Sequence, residues 1–211
     1  MINLIALVTM LIDHVGDILF PNILFFRIIG RLSFHLFAWG IAKGYNTTRN
    51  FKKYAVRLFL LAVISQIPYF LAFKNTNINI CFTLLSGLFV LKLYDSSLSK
   101  LIRWPFIIAL LLISQYLHFE YGFYGVLTIL IFYIYWNNDK VIYYQAILTL
   151  VSTMILKYDP IELVAILSPI LILSLNLLIK KDIKINKVFR YSFYPVHLII
   201  LFLIKNGGLL K

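Results

Sequence analysis

The chain has 211 residues, of which 62% are hydrophobic and only 13% charged. That is too little charge to coat a soluble globule of this length. The net charge of +12 does not imply nucleic acid as a partner, because the basic residues lie in short connectors between apolar runs and not on one helix face or beside a base-stacking module.

Long apolar runs predict helical spans over 2–20, 24–44, 54–73, 78–94, 103–118, 121–136, 141–157, 160–179 and 190–206. The expected fold is all-α, a polytopic transmembrane helix bundle of about nine spans (eight to ten), forming a single domain over 1–211. Charges at Asp13, His14 and Asp17 interrupt the first run and no small-residue cleavage site follows, so it reads as a retained helix and not a leader.

In span 1, Thr9, Asp13 and Asp17 recur every four residues and share a helical face. In span 2, Arg27, Arg31 and His35 do the same. Counting outward from Pro21-Asn22 brings Asp17 level with Arg27 and Asp13 level with Arg31. A structural ion-pair ladder explains the outer rung. His14, beside Asp13 at mid-membrane depth, points instead to function, since ionisable groups inside a bilayer cost kilocalories and usually face a partner or a cavity.

The connectors after spans 2, 4, 6 and 8 hold most of the basic residues, from Lys43, Arg49, Lys52, Lys53 and Arg57 to Lys180, Lys181, Lys184, Lys187 and Arg190. The positive-inside rule makes that side cytoplasmic and puts the amino terminus inside a multi-pass cell-membrane protein. Ser65-Gln66-Ile67-Pro68 and Asn79 read as helix breaks or caps, and the lone Cys81 as a small buried side chain. At the outer mouth of span 6, Glu120 and Tyr121 are candidates to face a cavity, although aromatic anchoring explains Tyr121 equally well. The last span brings Tyr194-Pro195-Val196-His197, in which a proline bend can open a pocket beside His197. Hydrogen bonding of His197 to a freed carbonyl is the structural alternative. No spacing of His, Cys, Asp or Glu argues for a metal, and none is expected.

In order along the chain, Thr9-Met10-Leu11-Ile12-Asp13-His14, Arg27-Ile28-Ile29-Gly30-Arg31-Leu32-Ser33-Phe34, Lys53-Tyr54-Ala55-Val56-Arg57-Leu58, Phe82-Thr83-Leu84-Leu85, Tyr121-Gly122-Phe123-Tyr124-Gly125 and Phe193-Tyr194-Pro195-Val196-His197-Leu198 resemble the TraX family of membrane proteins. The sequence departs from that family's pattern at His35, where proline is usual, and at Lys43, where glutamate is usual. The resemblance implies transfer of an acetyl or short acyl group from acetyl-CoA, a cosubstrate, to an amine on a membrane-associated acceptor. On that reading His14 is the general base, with Asp13 holding its tautomer or neutralising the arginines. Arg31 would stabilise the developing oxyanion and His197 would act as a second proton carrier. Arg49, Lys52, Lys53 and Arg57 would hold the CoA phosphates, while Arg27, His35, Glu120, Tyr121 and Tyr194 would line the substrate cavity. The rival expectation is a proton-coupled transporter or flippase that uses the same charges. The absence of an internal repeat in the sequence counts against it.

Overall fold

The computed structural model describes residues 1–178 and 186–207. Lys180, Lys181 and Lys184 of the last basic connector lie outside the described residues. The helices are α1 (Ile2–Leu19), α2 (Leu24–Thr47), α3 (Phe51–Phe73), α4 (Ile80–Tyr94), α5 (Lys100–Tyr116), α6 (Gly122–Ile134), α7 (Lys140–Met154), α8 (Ser168–Leu178) and α9 (Lys187–Asn206), with a 3₁₀ segment at Pro160–Leu167 leading into α8. No strand occurs among the described residues; the one extended contact is an isolated bridge between Ile78 and Phe119.

The polar punctuation of the sequence sets several of these boundaries. Asn50 accepts from the Lys53 amide (2.9 Å), Asn79 from Cys81 (3.0 Å), Asp159 from Ile161 (3.0 Å) and Asn186 from Val188 (2.8 Å). Each satisfies an amide that the first turn of a helix leaves without a partner. Helix α3 continues through Pro68. The predicted break there is instead a brace, since Gln66 accepts from the Asn79 side chain (2.7 Å) and Asn79 donates to the Ala62 carbonyl (2.8 Å), tying α3 to the start of α4.

Among the described residues, five segments are long and apolar enough to cross a membrane: Ile2–Leu19, Leu24–Thr47, Phe51–Phe73, Pro160–Leu178 and Lys187–Asn206. Helices α4, α6 and α7 have 15, 13 and 15 residues. At a rise of ~1.5 Å per residue they are shorter than the ~30 Å hydrocarbon core. The expectation of about nine crossings is therefore supported for five. Large apolar side chains such as Leu101, Ile67, Phe25, Leu112 and Ile64 are exposed, while Asp13, His14, Arg31, His35, Glu162 and His197 are buried. That distribution fits a protein solvated by lipid.

Two apolar cores share the first hairpin. One packs α2, α4 and α6 around Leu36, Leu88, Tyr124 and Ile129; the other packs α1, α3 and α9 around Leu7, Met10, Ala62, Tyr69 and Leu198. Helices α1 and α2 form the most extensive interface. Glycine makes it close, because a β-carbon on Gly30 would overlap the Asp13 carboxylate and one on Gly16 would overlap Phe26. The charged residues of the hairpin are thereby held between the two cores.

Candidate active site

Helix α1 presents Asp13 toward α2. Its Oδ1 accepts from Arg27 Nη1 (2.7 Å) and lies 3.7 Å from Arg31 Nη2. Arg27 also reaches Asp17 (3.4 Å), so one guanidinium spans two carboxylates a helical turn apart. Both rungs counted from the sequence, Asp17–Arg27 and Asp13–Arg31, are within ion-pair distance, and a closer diagonal contact joins Arg27 to Asp13. Arg31 takes its shortest ion pair from Glu162, in the 3₁₀ segment, and also donates to the Tyr121 hydroxyl (3.2 Å). Counting from the hairpin turn could not anticipate a partner 131 positions away.

Beside this cluster, His14 meets His197 of α9. Nδ1 of His14 lies 2.6 Å from Nε2 of His197. The rings are within 6° of parallel with centroids 4.9 Å apart, so they meet edge to edge through these nitrogens. His197 Nδ1 is 2.6 Å from the Phe193 carbonyl. Phe73 packs edge-on against His14 at 5.2 Å between centroids, and Tyr194 lies 6.0 Å away. Both imidazoles are buried. Asp13 makes its contacts with the arginines, not with His14; the group that orients His14 comes from the last helix.

A cavity of about 340 Å³ lies beside this pair, and neither histidine nor Arg31 is among its lining residues. Its mouth is formed by Gly44, Thr47 and Thr48 at the end of α2, Arg57 of α3, and Arg190 and Tyr191 of α9. Its inner wall includes Met10, Cys81 and Tyr194. Met10 and Tyr194 each precede a histidine of the pair by about one helical turn, so the imidazoles stand just beyond the inner end. The buried Tyr194 hydroxyl has no hydrogen-bond partner.

The other sequence-predicted residues divide clearly. Of the four assigned to phosphate, Arg57 lines the cavity, whereas Arg49, Lys52 and Lys53 are exposed outside it. Arg49 precedes the Asn50 cap, and Lys52 and Lys53 lie in the first turn of α3. Tyr194 lines the cavity, but Arg27, His35, Glu120 and Tyr121 do not. His35 is fully buried in a closed polar network, with Nδ1 3.1 Å from the Arg31 carbonyl and Nε2 3.0 Å from the Tyr124 hydroxyl. Gln145, Thr128 and Thr149 complete that network. Tyr121 stacks on Phe34 at 4.2 Å, and the turn before it aims Glu120 inward toward Asp13. Burial, reinforced by the Asp13 charge, pushes the Glu120 carboxyl up to about 7.

Sequence reasoning missed Glu162, which it absorbed into a span, and gave Arg190 only a topological role. The available signal for Glu162 was a carboxylate within the apolar run Pro160-Ile161-Glu162-Leu163.

A family model described as TraX protein matches residues 1–205. An uncharacterized protein of Rickettsia prowazekii (strain Madrid E), RP591, is 29% identical over 133 residues, covering 62% of this chain and 52% of that protein. The chain thus aligns with about half the length of that relative. No solved structure matches.

Proposed function

The chain belongs to the TraX family, and from that premise we propose that it is a membrane-embedded acyltransferase, moving an acetyl or short acyl group from acetyl-CoA to an amine of a membrane-associated acceptor. The supporting observation is the cavity lined by Arg57 and Arg190 and also by Met10 and Tyr194, which precede His14 and His197 by about one helical turn. A CoA thioester needs cations at one end, for its phosphates, and a proton acceptor at the other. Both arginines belong to the basic side of the protein, so the donor enters from the cytoplasm and the family topology is multi-pass with that side inward.

A thioester is already activated, which limits what the protein must supply. His14 accepts a proton from the attacking amine as its nitrogen bonds to the acyl carbon. The tetrahedral intermediate then collapses, the carbon–sulfur bond breaks, and the proton held on His14 passes to the departing thiolate. Arg31 is the nearby permanent cation. Its Nε–H has no hydrogen-bond partner, so it is the donor available to the oxyanion, while Asp13, Glu162 and Tyr121 hold the rest of the guanidinium.

The test is release of free thiol from acetyl-CoA by the purified protein, with and without primary-amine acceptors in the bilayer. Acceptor-dependent release is expected. A protein that binds acetyl-CoA but releases no thiol with any amine acceptor would overturn the reading and favour a transporter.

A further inference from the structure

We infer that His197 is a positioning residue that fixes the tautomer of His14, and is not a second proton carrier. The inference deepens the acyl-transfer reading and rests on it for its catalytic consequence, but not for the tautomer itself.

The argument follows the hydrogen bonds inward from the main chain. A carbonyl oxygen can only accept, so the 2.6 Å contact at Phe193 requires the proton of His197 to sit on Nδ1. In neutral His197 the other nitrogen, Nε2, then carries a lone pair. The 2.6 Å contact to His14 Nδ1 therefore requires that nitrogen to donate. Neutral His14 is left with its lone pair on Nε2, for which no described residue supplies a hydrogen bond. Two successive contacts thus select the nitrogen that takes the proton from the acceptor.

The same contacts define the charged state. When Nε2 of His14 takes a proton, Nδ1–H remains donated to His197, and that bond strengthens because the donor is now an imidazolium. This is the work a buried carboxylate does in a Ser-His-Asp triad, holding the tautomer and stabilising the imidazolium. A carboxylate is adjacent in sequence, yet Asp13 is taken by Arg27 and Arg31. An imidazole partner also adds no further charge to a site that already holds several.

Phe193 lies within α9, about one turn before His197, so the carbonyl that sets His197 is supplied by the same helix. The orientation of His14 is therefore anchored in backbone.

The test uses full-length protein labelled with ¹⁵N-histidine, which contains four histidines to resolve. Nitrogen chemical shifts and ring couplings distinguish a protonated Nδ1 from a protonated Nε2. In the wild type, His14 and His197 should both show protonated Nδ1. In His197→Phe, which keeps a ring but has no acceptor, His14 should revert to the Nε2-protonated form. In His197→Gln, whose side-chain oxygen can reach the place of Nε2, His14 should keep its Nδ1 proton. Thiol release should fall at least about tenfold in the Phe variant and recover most of that loss in the Gln variant, since general-base assistance is worth roughly 10²-fold or more.

A wild-type spectrum with His14 protonated on Nε2 would overturn the assignment, and that measurement needs no variant to fold. So would an unchanged His14 tautomer in His197→Phe. If the wild type releases no thiol while the tautomers behave as stated, the acyl-transfer reading fails and the positioning role stands.

Discussion

At the scale of single residues, the site separates two tasks that the sequence places side by side. On the proposed reading His14 exchanges a proton, while Asp13, its neighbour, balances guanidinium charge. Replacing each should therefore fail differently. His14→Ala should insert and fold, because a small cavity costs a few kcal/mol at most, yet lose about 10²-fold or more of its turnover. Asp13→Asn should lower both turnover and thermal midpoint, because it leaves Arg27 with only Asp17 and Arg31 with only Glu162 as acidic partners. Comparing activity per folded molecule with melting temperature separates the two. Glu120 makes a prediction about pH. Its carboxyl holds a proton up to about 7 in the fold and gives it up near 4.3 when unfolded. Between those values the folded state binds more proton, so stability falls as pH rises through the window and the contribution levels off above it. Glu120→Gln should flatten that slope in thermal melts taken across pH. Of these side chains, Asp13, His14 and Arg31 were legible in the sequence because each is a charge or a histidine inside an apolar run. Their partners were less so. A hydrogen bond between positions 14 and 197 leaves no periodic trace.

At the scale of elements, apolar runs located the helices well, and the gaps predicted at 21–23, 74–77 and 158–159 fall between observed elements. Length decided what could not be read. Runs such as 141–157 look like spans in composition, but α7 stops at Met154 and is too short to cross upright. The stretch after Asp159 winds as a 3₁₀ segment before it becomes α8, and that tighter turn presents Glu162 to Arg31. The hairpin interface is the element most sensitive to a small change. Gly30→Ala would put a methyl group where the Asp13 carboxylate lies. Overpacking of this kind costs about 1–3 kcal/mol, and here the displaced group is half of the ion pair with Arg27. We expect a lower melting temperature together with reduced turnover, whereas Gly40→Ala, whose added β-carbon approaches only Asn3 at 4.0 Å, should leave the melting temperature unchanged. Equal melting temperatures for both variants would show that the hairpin tolerates separation.

Across the whole molecule, donor binding falls on the proposed reading to the basic rim of the cavity, and proton transfer to the His14–His197 pair. Arg57→Ala with Arg190→Ala should raise the KM for acetyl-CoA more than it lowers kcat, because ground-state phosphate contacts contribute equally before and during the reaction. Steady-state kinetics at varied donor concentration measure this, and an unchanged KM would remove the rim from donor binding. The pairing of His14 with His197 also has a consequence for biosynthesis. The ribosome makes the first member of the pair with the first helix and the second with the last. Arg31 meets its hairpin partner at once but waits for Glu162 until most of the chain has been synthesised. A nascent chain can thus lodge its opening hairpin in the bilayer with partly neutralised charge, while its catalytic histidine has no defined tautomer. On the proposed reading, competence arrives only when α9 docks and brings His197 to His14.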